Sequence, residues 1–365
     1  MSSFMLWLII STVDIIIFFG GVVAVPSIKQ GEERVENIGK ILAHLRTNGP
    51  KSRRQLSDEL VLSWGCVSEL SSILISRNIL LEVEPIEVKA KGRKPSVLTL
   101  NPNVCFLGVD INIQGLSGCV CNLLGEKIYH TSTEISYASK EDFIAFVISF
   151  VNEIIEKRTN IYGIGIAMQG ILNKKANVWE FPLKNKIYIN FDLDFGAAFN
   201  LPFFVEHDPN CILYGYFDEV SGNEMILRLD SGIGAAVCKN GEFLSDELLE
   251  IGYLVINDKG ERLHDVLSIN KIKSISSKEE LVKYLNYAGG CLGLALGNIC
   301  NLFRLDKIYL CGETVTEYDL LNADFFNIYN QTAIKSQTAK IIPAEVINAA
   351  FGAAKLAVDK FKYYF

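Results

Sequence analysis

Two aspartates follow apolar runs that each predict a buried strand. One run is Cys105–Asp110 and the other is Met225–Asp230. The turn after the second aspartate contains Gly232 and Gly234, and glycines let backbone N–H groups approach a phosphate. After the first aspartate, Asn112 stands where glycine would allow the same approach. Two ordinary hairpin turns explain this pattern as well as a partly retained phosphate-binding loop does.

A third aspartate lies in the segment Glu206-His207-Asp208-Pro209-Asn210. Its carboxylate could act as a general base if it came within hydrogen-bond reach of a hydroxyl group. Asp208 could instead be the N-cap of a helix that begins at Pro209, because aspartate followed by proline at the first helical position suits a helix start. The two roles are compatible, and both stay open.

The elements that would position these aspartates alternate between apolar strands and helices. After a junction at Asn101-Pro102, the chain has strands near 105–110, 118–124 and 161–167, with a helix at Glu141–Lys157. The opening of this βββαβ order recurs from Met225 as strand, aspartate, turn, strand and turn. Such a recurrence predicts a duplicated α/β fold with a cleft between its halves.

In the duplicated fold shared by actin and sugar kinases, which is ribonuclease H-like, the two aspartate-bearing turns face a nucleotide across the cleft. We therefore expect a first α/β lobe at 104–222 and a second at 223–365. A separate domain at 31–100 precedes them, after an apolar N-terminal extension at 1–30.

The segment 31–100 has the pattern of a winged helix-turn-helix. Val35–Leu45 repeats apolar residues on one helical face. Ser52, with Gln55 three residues later, predicts a capped helix that ends near Leu60, and Ser63 caps a third helix. The runs 79–83 and 97–100 predict two paired strands.

This arrangement indicates a DNA-binding domain, because a recognition helix contacts base edges near its N-terminus and a basic wing contacts phosphates. The alternative is a helical protein-interaction domain beside a solvated basic loop. The predicted DNA-contacting residues are Arg53, Arg54, Trp64, Ser68, Lys91, Arg93 and Lys94.

The distribution of charge agrees weakly with a DNA-binding end. Residues 31–96 contain 11 Lys and Arg against 9 Asp and Glu, while residues 97–365 contain 23 against 32. The acidic remainder would repel phosphate, so only the N-terminal domain would contact nucleic acid.

The nine cysteines are odd in number and form no Cys-x-x-Cys pair, which predicts buried reduced thiols in a cytoplasmic protein. The segment Met5–Val25 is long and apolar enough to span a bilayer, apart from Asp14. An extension outside the folded core, such as one from a start codon placed too early, is favoured over a membrane span.

From about residue 34 to residue 358 the chain resembles the ROK family, which unites sugar-responsive transcriptional repressors with bacterial sugar kinases. The order and spacing of the segments together carry the resemblance. They are SRRQLSDELVLSWGCVSEL, GRKP, FLGVDI, YGIGIAMQGILN, PFFVEHDPNCILYGYF, LDSGIGAAVCKNGEF, EIGY and KIYLCGE.

The resemblance implies a sugar-binding cleft in which part of the residue set has changed. It places Asp208 as the acceptor of the sugar hydroxyl proton in a kinase, with His207 where the family has Asn. Glu250 would bind sugar hydroxyls, but Tyr253 replaces the family's sugar- and zinc-binding histidine. Asn173 would lie on the opposite lip. The ligand-binding prediction is therefore Asn173, His207, Asp208, Glu250 and Tyr253.

The resemblance also implies that metal and nucleotide binding are lost. The family's zinc cysteines are missing, because no Cys lies between Cys238 and Cys291, and His264 alone cannot supply a tetrahedral site. The first phosphate turn has Asn112 and Gln114 instead of glycine and a hydroxyl residue. Glu313 adds a carboxylate on the adenosine side. We expect no metal and no cofactor.

These patterns together predict a DNA-binding transcriptional regulator, most plausibly a repressor, with a non-catalytic sugar-kinase-like domain. The expected partners are a double-stranded DNA operator, a sugar or sugar-phosphate effector and a second copy of the chain. The alternative is an ATP-dependent sugar kinase of the ROK family, with Asp208 as catalytic residue. A third possibility is a cleft that binds nothing and serves only to dimerise.

Overall fold

The computed structural model describes residues 17–18, 21–22, 28–84, 96–113, 115–135, 137–158, 160–173, 176–181, 186–216, 222–230, 232–240, 242–243, 249–344 and 348–364. The chain divides into two compact units. The smaller unit is Met1–Val104 with Asp359–Phe365, and the larger unit is Cys105–Val358.

The smaller unit contains three helices followed by a two-stranded antiparallel pair. Its elements are β1 (Ile17–Phe18), β2 (Gly21–Val22), α1 (Ile28–Asn48), α2 (Arg53–Leu60), α3 (Trp64–Ser76), β3 (Leu80–Val83), β4 (Val97–Leu100) and a 3₁₀ turn at Phe361–Tyr364. The strand pair β3–β4 and the three-helix order confirm the predicted winged helix-turn-helix.

The predicted caps explain where α2 and α3 begin. The Ser52 hydroxyl accepts a hydrogen bond from Gln55 N, and the Gln55 side chain accepts one from Ser52 N, which forms a capping box. The Ser63 hydroxyl accepts from Cys66 N at the start of α3. Between the two helices, Val61 has a φ of 56°, so it ends α2 in the left-handed conformation and reverses the chain.

Apolar side chains from the helices and the strand pair share one core in the smaller unit. Ile73 is only partly buried, whereas Ser71 is buried. The fully or nearly fully buried residues are Ile38, Ile41, Leu42, Leu45, Leu56, Val67, Leu70, Leu74, Ile79, Leu80, Leu98 and Leu100.

The larger unit is built on two five-stranded sheets with the orders β12-β8-β5-β6-β7 and β15-β14-β13-β16-β17, and a three-stranded sheet β11-β10-β9. The strands are β5 (Cys105–Asn112), β6 (Gly115–Asn122), β7 (Lys127–Glu134), β8 (Ile161–Met168), β9 (Ile171–Asn173), β10 (Val178–Phe181), β11 (Ile187–Ile189), β12 (Phe203–His207), β13 (Glu224–Leu229), β14 (Ile233–Lys239), β15 (Glu242–Phe243), β16 (Lys307–Cys311) and β17 (Lys340–Pro343).

Helices cover these sheets and connect the strands. They are α4 (Lys140–Lys157), α5 (Phe191–Asp194), α6 (Asp208–Gly215), α7 (Leu263–Leu267), α8 (Ile269–Lys273), α9 (Lys278–Phe303), α10 (Glu313–Glu317), α11 (Ala323–Thr332) and α12 (Ala349–Lys360), with 3₁₀ turns at Ile251–Tyr253 and Lys335–Gln337.

Both five-stranded sheets repeat one pairing scheme, which confirms the predicted duplicated α/β fold. In the first sheet β5 pairs antiparallel with β6 and parallel with β8. In the second, β13 pairs antiparallel with β14 and parallel with β16. The strand predicted to end at Asp110 continues to Asn112, because its backbone pairs on to the Asn112–Gly115 position of β6. Asp110 is therefore buried within the sheet.

Among the helices that the structure describes, none is both long and apolar enough to cross a membrane. Of the segment Met5–Val25, only Ile17–Phe18 and Gly21–Val22 are described, and they pair as two short antiparallel strands.

Candidate functional site

A cavity of about 290 Å³ is bounded by residues from both halves of the larger unit. The ends of β5, β8 and β12 and the start of α6 supply one part of its wall, and the β13–β14 hairpin and the Ile251–Tyr253 turn supply the rest. The polar residues on this wall are Asn112, Gln169, His207, Asp208, Asn210, Arg228, Asp230, Glu250, Tyr253 and His264.

Four of the five predicted ligand residues line this cavity. They are His207, Asp208, Glu250 and Tyr253. Asn173 ends strand β9 and is not among the lining residues; its side-chain oxygen accepts a hydrogen bond from Ala176 N at 3.2 Å. The structure therefore brings together two motifs more than 40 residues apart in sequence, and ligand binding by them stays a prediction.

The start of helix α6 differs from the prediction that Asp208 caps it. The helix begins at Asp208 itself, and His207 occupies the N-cap position without a side-chain capping bond. The N-cap role of Asp208 is therefore wrong, because the carboxylate is already in the first turn. It lies near Arg228 instead, with Oδ2 3.6 Å from Nη1. The His207 ring packs on Trp179, with 4.3 Å between ring centroids.

Arg228 is the cavity residue that sequence reasoning missed. Its Nε donates to Asp230 Oδ2 at 2.5 Å, and its guanidinium also faces Asp208. Both carboxylates are less than a quarter exposed. The signal was present in the sequence, since Arg228 interrupts the otherwise apolar run of β13, and a charge in a buried strand requires a partner.

The carboxyl groups around Arg228 have altered proton affinities. Burial and, to a smaller extent, the neighbouring Asp110 raise the pKa of Asp208 to about 7, while Arg228 opposes both effects. Burial likewise raises the pKa of Asp110 to about 6, against a hydrogen bond from Asn112. Burial alone would lower the pKa of Arg228, but Asp230 and Asp208 raise it overall. The cluster therefore keeps its cation, and Asp208 and Asp110 hold their protons to a higher pH than an exposed aspartate would.

In the first predicted phosphate turn, the side chains of Asn112 and Gln169 form hydrogen bonds with other groups of the protein. Asn112 Nδ2 donates to Asp110 Oδ2 at 2.9 Å, and Asn112 Oδ1 accepts from Gly115 N at 3.2 Å. Ile113 N donates to Gln169 Oε1 at 3.0 Å. Backbone N–H groups that could have bound a phosphate already have partners here. Gln114 lies outside the described residues.

On the predicted adenosine side, a backbone N–H group is also already bonded to a protein side chain. Glu313 N donates to Asp230 Oδ1 at 2.6 Å, so the turn between β16 and α10 closes on the aspartate of the second phosphate turn. Gly312 has a φ of 106°, and a Cβ there would lie 2.7 Å from Asp230 Oδ1. Only glycine fits this close approach.

No group of three or more His, Cys, Asp or Glu side chains that could hold a metal ion occurs among the described residues. Gly252 packs against His264, where a Cβ would lie 3.4 Å from the histidine Cβ. Tyr253 is more than half exposed, and the Arg262 guanidinium lies 5.0 Å from its ring centroid. The loss of zinc stays a prediction from the residue types.

The smaller unit presents a second candidate surface at the start of α3. Trp64 is 57% exposed at the first position of the helix, and Ser68 is partly exposed one turn later. Arg54 on α2 is 87% exposed on its side chain, with Asp58 4.0 Å away. Arg53 differs, because its guanidinium donates to both carboxylate oxygens of Glu82 on β3. Arg53 thus ties α2 to the strand pair.

The predicted wing tip falls at 85–95, outside the described residues, and so do Lys91, Arg93 and Lys94. The strands on either side of it are described and pair from Leu80–Leu100 to Val83–Val97. Contacts of these three residues with DNA stay predictions.

Comparison with known proteins agrees with this architecture. Residues 106–264 match the family model described as ROK family. The chain is 24% identical over 321 residues to the xylose repressor of Bacillus spizizenii, covering 77% of this chain and 83% of that protein.

Two solved structures share the fold. A ROK family transcriptional regulator, homologue of the E. coli MLC protein, aligns with a TM-score of 0.78 at 19% identity, over 91% of this chain and 97% of that one. The ROK hexokinase from Thermus thermophilus aligns with a TM-score of 0.62 at 15% identity, over 71% of this chain and 99% of that one. Residues 106–264 thus match the ROK family model, and a winged helix-turn-helix precedes them in sequence.

Proposed function

We propose that this protein is a DNA-binding transcriptional repressor in which the ROK domain binds a sugar effector and transfers no phosphoryl group. The observation that carries the proposal is that one chain contains both an exposed α3 start followed by a strand pair and a kinase-like cavity whose first phosphate turn is hydrogen-bonded to protein groups. The name of a relative supports this proposal, since the matched Bacillus protein is a xylose repressor.

In this proposal the α3 N-terminus enters the major groove and the wing contacts the backbone of the operator. A homodimer would read two half-sites one helical turn apart. The site of action would be the cytoplasm, where the nine cysteines, none of which forms a disulfide in the described structure, would remain reduced. The effector would act by binding the DNA-competent and the incompetent states with different affinity.

We expect Arg54→Ala to weaken DNA binding about 5- to 10-fold and to reduce the slope of log K against log salt by about 1, because Arg54 is exposed and available to a phosphate. The measurement is fluorescence anisotropy on operator fragments selected from the source genome, at several salt concentrations. Lys283→Ala, which removes an exposed cation from the larger unit, is the matched control and should change neither quantity. Affinity indifferent to salt and to Arg54 would refute DNA binding.

The kinase alternative predicts sugar-dependent ATP consumption with Asp208 as general base. We expect no ADP above background with any sugar of a panel, since transfer depends on positioning and charge stabilisation at the phosphates. The N–H groups of Ile113 in the first phosphate turn and of Glu313 on the adenosine side are already bonded to protein oxygens. A coupled ADP assay measures this. Turnover that disappears in Asp208→Asn would establish the kinase instead.

The remaining alternative, a cavity that binds nothing, has its own test. A ligand that binds only the folded state raises the melting temperature by mass action. A shift with at least one sugar therefore supports an effector cavity, whereas a panel without any shift indicates a domain that only dimerises.

A further inference from the structure

The charged side chains on the cavity wall are mostly acidic. Of its described lining residues, Arg228 is the one lysine or arginine, whereas Asp230 and Glu250 are carboxylates and Asp208 supplies a third carboxyl group. A phosphate ester carries acceptor oxygens and needs donors, preferably cationic ones. The balance of charge on the wall favours a ligand without negative charge.

The guanidinium of Arg228 also already interacts with two carboxyl groups of the wall. Its Nε donates to Asp230, and its Nη1 lies 3.6 Å from Asp208. Arginine binds phosphates best with a free planar fork of donors. An entering phosphate would approach Arg228 beside the Asp230 carboxylate that its Nε already binds, so like-charge repulsion would oppose its binding.

Asp230 also accepts a hydrogen bond from a second group. Its other oxygen accepts from Glu313 N at 2.6 Å, and the glycine before Glu313 approaches it closely. One carboxylate thus accepts both from Arg228 Nε and from a backbone N–H that an external anion could have used.

We propose that the Arg228–Asp230 ion pair determines the specificity of this cavity and restricts the effector to an unphosphorylated sugar. This inference rests on the proposed effector function. Sugar hydroxyls suit the wall because each can donate to a carboxyl oxygen and accept from an amide or histidine N–H. Asp208, Glu250 and Gln169 provide these groups, and Tyr253 provides an exposed ring at the rim.

The test is a titration of the full-length protein, without DNA, with aldopentoses, aldohexoses and N-acetylhexosamines and with the 6-phosphates of the last two classes. Calorimetry gives the affinities, and the fluorescence of Trp179, which packs on His207, gives an independent signal. We expect at least one neutral sugar to bind and its phosphate to bind about 10-fold more weakly or worse. Equal or tighter binding of a phosphate overturns the proposal, and so does a panel in which no neutral sugar binds.

Asp230→Asn tests the ion pair itself. The amide keeps an oxygen for Glu313 N but releases the charge on Arg228, so the affinity ratio of sugar phosphate to neutral sugar should rise about 10-fold. Asp258→Asn, at an exposed position, is the matched control for the loss of one charge. An unchanged ratio in a folded Asp230→Asn protein overturns the role of the pair.

A measurement on the unmodified protein covers the case in which Asp230→Asn does not fold. Inorganic phosphate and pyrophosphate should not compete with the neutral sugar, and competition by either would overturn the proposal.

DNA affinity is measured separately. Loss of DNA binding with neutral-sugar binding intact would refute the repressor function alone, whereas tight phosphate binding with DNA binding intact would refute this inference alone.

Discussion

Replacing Gly165 by alanine is expected to destabilise the larger unit by roughly 3 kcal/mol or more, and so to abolish folding or nearly so. A Cβ at Gly165 would lie 1.8 Å from the backbone oxygen of Ala353 on α12 and 2.5 Å from its carbonyl carbon. Backbone atoms of a packed helix cannot move aside as the end of a flexible side chain can, so the strand and the helix would have to separate.

The neighbouring strand has the same requirement. Gly108 on β5 pairs with Gly165 on β8, and a Cβ at Gly108 would lie 1.7 Å from Ala350 O. The two glycines form a flat patch against which α12 packs. Because β5 and β8 end at the cavity, at Asn112 and just before Gln169, this contact also positions part of its wall.

Urea unfolding followed by circular dichroism measures the effect of Gly165→Ala. Gly232→Ala is the control in the same unit, because nothing lies within 4 Å of a Cβ there. Its stability should stay within about 0.5 kcal/mol of the wild type. A Gly165→Ala protein as stable as this control would show that α12 is not held against the sheet as described.

Elements with a local chemical signature could be predicted from the sequence. The capping residues Ser52 and Ser63 each set a helix start, since a side-chain oxygen must satisfy an N–H that the helix leaves unpaired. The duplicated order of strands around Asp110 and Asp230 was likewise readable, because buried strands give apolar runs of characteristic length.

Features that depend on contacts between segments distant in sequence could not be predicted in this way. The extension of β5 to Asn112 depends on pairing with β6, and the shift of the α6 start to Asp208 depends on where β12 ends. Arg228 was visible as a charge inside an apolar run, but one of its partners, Asp208, comes from another segment of the chain. Four of five expected ligand residues line the cavity, while Asn173 does not, because a motif specifies a loop but not the direction of each side chain.

Asp208→Asn is expected to stabilise the larger unit at pH 8, by roughly 2 to 4 kcal/mol, and to have little effect near pH 4. The cause is burial of the carboxyl beside Asp110, which raises its pKa from 3.8 to about 7 in the folded protein. Between these two values the folded protein holds a proton that the unfolded chain has released. The free energy of unfolding contributed by Asp208 therefore falls as pH rises from about 4 to about 7, and it is constant above that range.

Asparagine has nearly the same shape but no proton to lose, so the variant lacks this part of the pH dependence. The ion pair with Arg228 offsets some of the cost of the buried charge in the wild type, and its loss limits the gain in the variant. The measurement is urea unfolding of both proteins at pH 4.5, 6 and 8, with Asp258→Asn as the control for removing one negative charge. Parallel pH profiles for wild type and Asp208→Asn would mean that the carboxyl is ionised throughout, with Arg228 as a full counter-ion. The cavity would then hold one more fixed charge against a phosphorylated ligand.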